Sequence, residues 1–250
     1  MKSIQFYLTP AAGKRLIAKG VTALPAVRAA LLQGTVVIVA GTTNGYVAEE
    51  VLASVSQTAG FEKKNFYRGV IRGASAPAPR PGNTDVVLEK GVWKRGATIF
   101  DVVENLGPKD VILKGANAVD LSTGEAAVMI GNPSGGTISA ASAAAIGRRA
   151  QLILPVGVEK RVSEPLRALC GVCNAPDAAG LRLWPAPGRA YTELDAIRQL
   201  SGAEAHLFGA GGIAGAEGGA YFAAVGTDAQ LEVWQNIVSG LLTTPPFAME

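Results

Sequence analysis

The 250-residue sequence predicts an α/β protein with a doubly wound, mostly parallel sheet, followed by a small ferredoxin-like α+β domain. Three observations lead to this fold class. Short β-branched runs alternate with helical periodicity up to about residue 156, as in parallel strands joined by helices. Glycine-rich loops follow two of these strands. Beyond residue 178 the order of elements becomes β-α-β-β-α. We therefore expect two domains, residues 1–178 and residues 179–250.

Two helices are predicted at the start of the chain, and alternating strands and helices follow them. Thr9 and Pro10 form an N-cap and first helical residue, and a second helix starts near Pro25 and stops at Gly34. The run TVVIVA that follows is continuously apolar, as in a strand covered on both faces. Strands are predicted at residues 35–40, 66–71, 85–88, 110–114 and 151–156, helices at residues 46–56, 99–106 and 138–150, and a loop at residues 73–83.

The predicted second domain is preceded by a proline-rich connector. Residues 163–187 contain four prolines and both cysteines, a composition typical of a connection rather than a core. Strands are then predicted at residues 181–184, 205–208 and 220–225, and helices at residues 192–200 and 227–239. The alanine- and glycine-rich composition of this part favours self-association, so we expect a homo-oligomer.

Composition excludes several classes of protein. Charged residues make up 17% of the chain and hydrophobic residues 48%, which excludes intrinsic disorder. The 23 basic and 20 acidic residues are spread along the chain, so no nucleic-acid partner is expected. No apolar run approaches the ~18 residues that span a bilayer, and no signal peptide is recognisable, so no membrane partner is expected. We expect a cytoplasmic protein, because no signal peptide is recognisable and the chain has only two cysteines.

Two loops are the candidate binding sites. Gly41, Thr42, Thr43 and Asn44 connect a predicted parallel strand to a helix, where backbone N–H groups and hydroxyls can converge on an anion. The loop at residues 131–137, with Gly135, Gly136 and Thr137 at its end, repeats this arrangement before the next helix. The alternative is ordinary helix capping and close backbone packing at both places. Neither loop has the spacing of a dinucleotide-binding or P-loop motif, so no cofactor is expected, and no metal-ligand cluster is recognisable.

The segment DVILKGANAVD at residues 110–120, followed by Gly135-Gly136-Thr137, a helix and QLILPVG, resembles a known superfamily. That superfamily includes ribose-5-phosphate isomerase A, glucosamine-6-phosphate deaminase and the CoA transferases. The loop at residues 41–44 is similar to its substrate-phosphate loop. The resemblance covers residues 35–156 and implies an α/β fold with a phosphate site, together with the small ferredoxin-like domain of the isomerases.

The resemblance departs from the isomerases at their catalytic residues. Their motif Gly-Ala-Asp-Glu-x-Asp reads GANAVD here, so Asn117 replaces the first aspartate and Asp120 keeps the last. Their glutamate base would fall near Ala141, where no carboxylate stands, and an amide or a methyl group cannot abstract a proton. Ribose-5-phosphate isomerisation by the family mechanism is therefore not expected. The remaining crevice would comprise Thr42, Thr43, Asn44, Lys114, Asn117, Asp120 and Thr137.

Individual side chains allow competing interpretations. Asp120 is the candidate catalytic carboxylate, with a turn-capping role as the alternative. Glu217 is a candidate nucleophile for acyl transfer, because CoA transferases use a glutamate. Lys160 and Arg161 could pair with a phosphate or with surface carboxylates, and the surface interpretation is favoured. The CxxC spacing of Cys170 and Cys173 allows a redox or metal role, but a structural role is favoured.

Three functional hypotheses follow. The first is binding of a small phosphorylated metabolite, a sugar phosphate or a nucleotide, in the crevice of an isomerase-like enzyme. The second is a non-catalytic ligand-sensing or interaction protein of the same fold. The third is a CoA or acyl transferase acting through Glu217.

Overall fold

A computed structural model describes residues 1–69, 71, 84–214 and 216–247. The helices in this part of the chain are α1 (Pro10–Ala23), α2 (Pro25–Gln33), α3 (Thr42–Ser54), α4 (Ile99–Val102), α5 (Thr137–Gly147), α6 (Leu166–Cys173), α7 (Glu193–Ser201) and α8 (Asp228–Ser239). The strands are β1 (Lys2–Leu8), β2 (Thr35–Ile38), β3 (Val86–Glu89), β4 (Val92–Trp93), β5 (Val111–Leu113), β6 (Ala118–Asp120), β7 (Glu125–Ile130), β8 (Gln151–Pro155), β9 (Arg182–Ala186), β10 (Arg189–Tyr191), β11 (Glu204–Gly211) and β12 (Gly219–Gly226).

A six-stranded mixed sheet forms the centre of the fold. Its strand order is β10-β8-β5-β2-β3-β4. The first four strands are parallel, with Val37 of β2 beside Ile112 of β5 and Ile112 beside Leu152 of β8. The strands β3 and β4 add an antiparallel hairpin at one edge. Because the parallel strands all point the same way, their carboxyl ends meet at one edge of the sheet.

Helices cover both faces of this sheet. Val36 and Ile38 point into a core that also contains residues of α1, α2, α3 and α7. Val37 and Val39 point into a second core, which includes residues of α4 and α5. A strand that is buried on both faces needs apolar residues at every position, which accounts for the continuous β-branched run of β2.

Two three-stranded antiparallel sheets flank the central one. The first has the order β1-β12-β11, and the second has the order β6-β7-β9. In the first, β1 runs along β12 from the pair Lys2 and Gly226 to the pair Leu8 and Ala220. Phe6 stacks on Phe222 across this pair with a centroid distance of 5.5 Å. The first strand of the chain is therefore held by one of its last.

The mixed α/β class is confirmed, whereas the doubly wound and ferredoxin-like details are not. The strands expected to form the ferredoxin-like sheet divide between two sheets, since β9 pairs with β7, whereas β11 and β12 join β1. One core cluster contains Leu16 of α1 together with Ile197 of α7, so it includes residues from both sides of residue 178. The division into residues 1–178 and 179–250 stays a prediction.

Several element predictions need correction. Residues 66–69 are not a strand, and Phe66 instead packs against Phe61 with a centroid distance of 5.3 Å. The predicted loop at residues 73–83 lies outside the described residues. Helix α3 begins at Thr42 rather than at residue 46. The expected connector contains α6, β9 is longer than predicted, and the strands β1, β4, β6, β7 and β10 were not predicted.

No single helix in the described ranges is both long and apolar enough to cross a membrane. The pair α1 and α2 meets that length and composition only when the two helices are taken together, and they are bent by 59° at their junction.

Candidate functional site

A cleft of about 610 Å³ opens at the carboxyl ends of the parallel strands. It is bounded by the segments that follow β2 and β5 and by the starts of α3 and α5. Nine residues named from the sequence as ligand-binding line this one cleft: Gly41, Thr42, Thr43, Asn44, Lys114, Asn117, Gly135, Gly136 and Thr137. The two glycine-rich loops, which lie far apart in the sequence, are therefore brought together.

The first turn of α3 presents backbone donors to the cleft. Gly41 precedes the helix, and its carbonyl accepts the first intrahelical hydrogen bond, from the Gly45 amide at 2.7 Å. The amides of residues 42–44 therefore have no acceptor within the helix. Within the described part of the chain, no side chain caps this N-terminus. The positive end of the helix dipole adds to these donors, so the turn can bind an anion.

Helix α5 contributes a second N-terminus of the same kind. Gly136 precedes it, and the first intrahelical hydrogen bond runs from the Ala140 amide to the Gly136 carbonyl at 3.3 Å. Gly135 and Gly136 have φ angles of +80° and +61°, which side-chain-bearing residues rarely adopt. A Cβ atom at Gly135 would also lie 2.8 Å from the Trp184 ring. These glycines let the chain turn tightly into α5 with no side-chain cap over its amides.

Asn44 fixes the position of the α3 turn. Its side chain is fully buried, and its Nδ2 donates to the carbonyls of Val39 and Leu113, both at 2.8 Å. These carbonyls lie at the ends of β2 and β5, so one amide group ties both strands to the helix start.

The Asn44 Oδ1 and the Thr43 Oγ1 are buried polar atoms with no hydrogen-bond partner in the described structure. Thr43 is only 2% exposed, so its hydroxyl is costly to leave unpaired.

Among the described residues, three cations line the cleft: Arg68, Lys114 and Lys160. Arg68 pairs through Nη2 with the buried Asp85 at 3.0 Å, and Asp85 also accepts hydrogen bonds from the amides of Ala40 and Ile99. The Lys160 Nζ donates to the Ala116 carbonyl at 2.9 Å. No carboxylate lies among the described residues that line the cleft. The described lining of the cleft is therefore positively charged, and the charge of Arg68 is balanced by Asp85.

Burial changes the acidity of both lysines. Desolvation lowers the pKa of Lys114 to about 8, with Arg68 and Lys160 acting in the same direction and Asp85 opposing them. Desolvation also lowers the pKa of Lys160. An anion in the cleft would stabilise the charged form of both amines.

The cleft lining also contains large apolar and aromatic side chains. They include Tyr67, Ile71, Phe100 and Phe247. Tyr67 is 8% exposed, whereas Phe100 keeps 55% of its surface exposed. A ligand with a charged group at the helix N-termini can place carbon atoms or a ring against these side chains.

Asp120 does not line the cleft. Its Oδ1 accepts hydrogen bonds from the Ser122 amide at 2.8 Å and the Ser122 hydroxyl at 2.6 Å, in the turn between β6 and β7. These bonds lower the pKa of the Asp120 carboxyl. The geometry corresponds to the turn-capping alternative, and the catalytic interpretation of Asp120 has no support from its position.

The remaining candidates also lie away from the cleft lining. Glu217 lies between β11 and β12, where its charge acts on Tyr7 of β1. Cys170 is buried and Cys173 half-buried, and both are free thiols on α6. No group of three metal-ligating side chains occurs within residues 1–69, 84–214 and 216–247.

Sequence reasoning missed part of the site. The sequence favours a surface position for Lys160 and gives no indication that Arg68, Tyr67 or Phe247 belongs to the site. Lys160 follows β8 by a few residues, at the same edge of the sheet as the predicted loops, and this position was the available signal. Phe247 comes near the end of the chain and has no such signal.

A second depression, of about 720 Å³, lies at the other end of the sheet. It is lined by Lys90, Lys94 and Lys109 among others, and the carboxylate of Asp110 there is already bound by the amides of Thr35 and Gly107. Neither α3 nor α5 begins there, so it lacks the converging backbone donors of the first cleft.

No protein-family model matches the chain, and neither a curated protein nor a solved structure matches it.

Proposed function

We propose that the protein binds a small phosphorylated metabolite in the cleft between α3 and α5. The observation that carries this proposal is the convergence of two uncapped helix N-termini and three cations on one cavity that has no lining carboxylate in the described residues. A phosphate is a compact dianion that accepts several hydrogen bonds, and it would match this set of donors. The unpaired Thr43 hydroxyl supports an acceptor in the same place.

The size of the cleft and the apolar side chains in its lining support a ligand larger than a free phosphate. A volume of about 610 Å³ falls in the range of small-molecule sites. Tyr67, Phe100 and Phe247 would contact the carbon skeleton of a sugar or the ring of a nucleotide. Similarity to the superfamily of ribose-5-phosphate isomerase A and the CoA transferases is part of this proposal, and it favours a sugar phosphate.

The second candidate is a non-catalytic binding protein of the same fold. It is favoured because the described lining contains no carboxylate that could move a proton in the manner of the isomerases. Turnover of a bound sugar phosphate would exclude it. Acyl transfer through Glu217 receives no support from the cleft, because Glu217 does not line it.

A thermal-shift screen tests the proposal. Wild-type protein would be melted with D-ribose 5-phosphate and sn-glycerol 3-phosphate, and separately with D-ribose and glycerol. A ligand at about 100 times its Kd stabilises a protein by about 2.7 kcal/mol, which raises the Tm of a chain this size by about 5 °C or more. We expect that shift with a phosphate ester and none with the unphosphorylated partners.

Gly41→Val is the blocking variant for this screen. A Cβ at Gly41 meets nothing within 4 Å, so the new side chain would enter the cleft without disturbing the fold. Gly107→Val is the matched control, because Gly107 has equally open surroundings and lies at the other depression. The shift should vanish in the first variant and persist in the second. An equal shift in both variants, or no shift with either ester, would overturn the proposal.

A further inference from the structure

Lys114 is the most unusual charged residue of the cleft. It directly follows β5, and its backbone amide is fixed by a hydrogen bond to the Ile153 carbonyl of β8 at 3.1 Å. The Asn44 side chain holds the preceding Leu113 carbonyl. The base of the Lys114 side chain is therefore fixed between the central strands and the start of α3.

The amine of Lys114 has weaker partners than the other two cations. Within the described residues, its Nζ has one hydrogen bond, a 3.3 Å contact with the neighbouring Gly115 carbonyl, and no ion pair. Lys160, in contrast, has a 2.9 Å hydrogen bond to Ala116, and Arg68 is paired with Asp85. Lys114 can therefore turn towards a ligand without breaking a strong contact.

We propose that Lys114 is a nucleophile that forms a reversible imine with phosphorylated aldehydes or ketones bound in the cleft. This inference rests on the proposed function, because the phosphate group would be held by the helix N-termini, Arg68 and Lys160. The ligand class is thereby narrowed to phosphate esters that carry a carbonyl group, such as open-chain sugar phosphates.

The chemistry balances without any co-reactant. The nitrogen lone pair of the neutral amine forms a bond to the carbonyl carbon, and the C=O π electrons move to oxygen. Both amine protons then pass to that oxygen, which leaves as water when the C=N double bond forms. The reverse reaction with water returns the amine and the carbonyl compound.

The electrostatic surroundings of Lys114 favour the neutral amine that this step needs. Burial, Arg68 and Lys160 lower its pKa to about 8, and only Asp85 opposes them. Relative to an ordinary lysine, this pKa gives on the order of a hundredfold more neutral amine at pH 7. A bound phosphate would raise the pKa again in part, and reaction through the minority neutral form remains available because proton exchange is fast.

Reductive trapping tests the inference. The full-length protein would be incubated at pH 7 with D-glyceraldehyde 3-phosphate, which cannot close into a sugar ring, and with sodium cyanoborohydride, which supplies hydride to the imine carbon. Intact-mass and peptide mass spectrometry would then locate the adduct. We expect one adduct on Lys114, with a yield at least about tenfold above that of any exposed lysine. D-glyceraldehyde, which has no phosphate to hold it in the cleft, should give a lower yield at Lys114 than the phosphate ester.

Variants identify the amine that reacts. Lys114→Arg keeps the positive charge but removes the amine, so the adduct at residue 114 should be lost. Lys109→Arg, at an exposed lysine outside the cleft, should behave like the wild type. Peptide mapping of the wild type gives the same answer if Lys114→Arg does not fold.

The outcomes separate this inference from the proposed function. Binding of sn-glycerol 3-phosphate without trapping at Lys114, or adducts spread evenly over the exposed lysines, would overturn the imine and leave the proposed function intact. If neither D-ribose 5-phosphate nor sn-glycerol 3-phosphate binds, both the imine and the proposed function are overturned.

Discussion

The hydroxyl of Thr43 is the residue-scale feature most directly connected to ligand binding. It is buried, it lines the cleft, and it has no partner in the described structure. Thr43→Val keeps the shape of the side chain and removes the unpaired hydroxyl. We expect the free energy of unfolding to stay the same or to rise by about 1 kcal/mol, because a desolvated hydroxyl is lost.

The same Thr43→Val variant should bind D-ribose 5-phosphate about tenfold more weakly, since a hydrogen bond to a charged group contributes about 1.5 kcal/mol or more. Urea denaturation and calorimetric titration measure the two effects. Thr43→Ser is the control and should retain most of the affinity. Lower stability with unchanged affinity would mean that the hydroxyl has only a structural role.

Asp120, in contrast to Thr43, is a residue whose substitution should not affect ligand binding. Its carboxylate bonds to Ser122 in a turn outside the cleft, and an asparagine can accept from the same amide. Asp120→Asn should therefore leave the affinity for D-ribose 5-phosphate unchanged and lower the free energy of unfolding by less than about 1 kcal/mol. A tenfold or larger loss of affinity in calorimetry would restore Asp120 to the site.

At the scale of elements, the start of α3 depends on the Asn44 amide. Asn44→Asp would replace a donor to two carbonyls by a buried negative charge that repels both, and this charge would also repel an anion in the cleft. We expect the free energy of unfolding to fall by about 3 kcal/mol or more. Asn105→Asp, at an exposed asparagine, is the control and should change it by about 0.5 kcal/mol at most. Equal stability of the two variants in urea would contradict this role.

The elements show which parts of the fold a sequence can predict. The strands β2, β5 and β8 are buried on both faces, so their composition alone reveals them. The sequence predicts too late a start for α3 because Thr42, Thr43 and Asn44 are weak helix formers, held in place here by a tertiary contact through Asn44. Strand β1 was missed because its partner, β12, lies near the other end of the chain.

The candidate site also contains some parts that the sequence could predict and others that it could not. Both glycine-rich loops could be predicted as parts of one crevice, because loops after parallel strands share one edge of the sheet. Arg68 and Lys160 could not be predicted as parts of this crevice. Charged side chains are mostly exposed, and only the folded chain shows which ones line a cavity.

At the scale of the whole molecule, the core should not survive division at residue 178. Such a cut would separate β9 from β7, β10 from β8, and β12 from β1. It would also divide the core cluster that contains Leu16 and Ile197. We expect residues 1–178 and residues 179–250, expressed separately, to lack a cooperative unfolding transition in circular dichroism, and the full chain to show one. Cooperative melting of either fragment would support two domains.

A buried acid that does not itself line the cleft links stability to pH. Glu193, at the start of α7, is 3% exposed and accepts a hydrogen bond from the Val158 amide at 2.9 Å, next to the turn that carries Lys160. Burial raises its pKa to about 8; Glu159 acts in the same direction, whereas Lys14 and the two backbone hydrogen bonds oppose it.

Because the folded state keeps the Glu193 proton to a higher pH than the unfolded state, this group's contribution to stability is complete below about pH 4.5 and is lost as the pH rises towards 8. Glu193→Gln should remove that part of the pH dependence, measured as the free energy of unfolding between pH 5 and 8. Glu104→Gln, at an exposed acid, is the control. An unchanged pH profile in Glu193→Gln would show that Glu193 is ionised in the folded protein.

The position of the phosphate group is the most direct test of the whole account. A crystal structure of the protein with D-ribose 5-phosphate would locate it in difference density. We expect the phosphate oxygens at about 3 Å from backbone amides of residues 42–44 or 137–139, with Lys160 or Arg68 as a second contact. Density for the phosphate elsewhere on the surface, with this cleft empty at saturating ligand, would contradict the account.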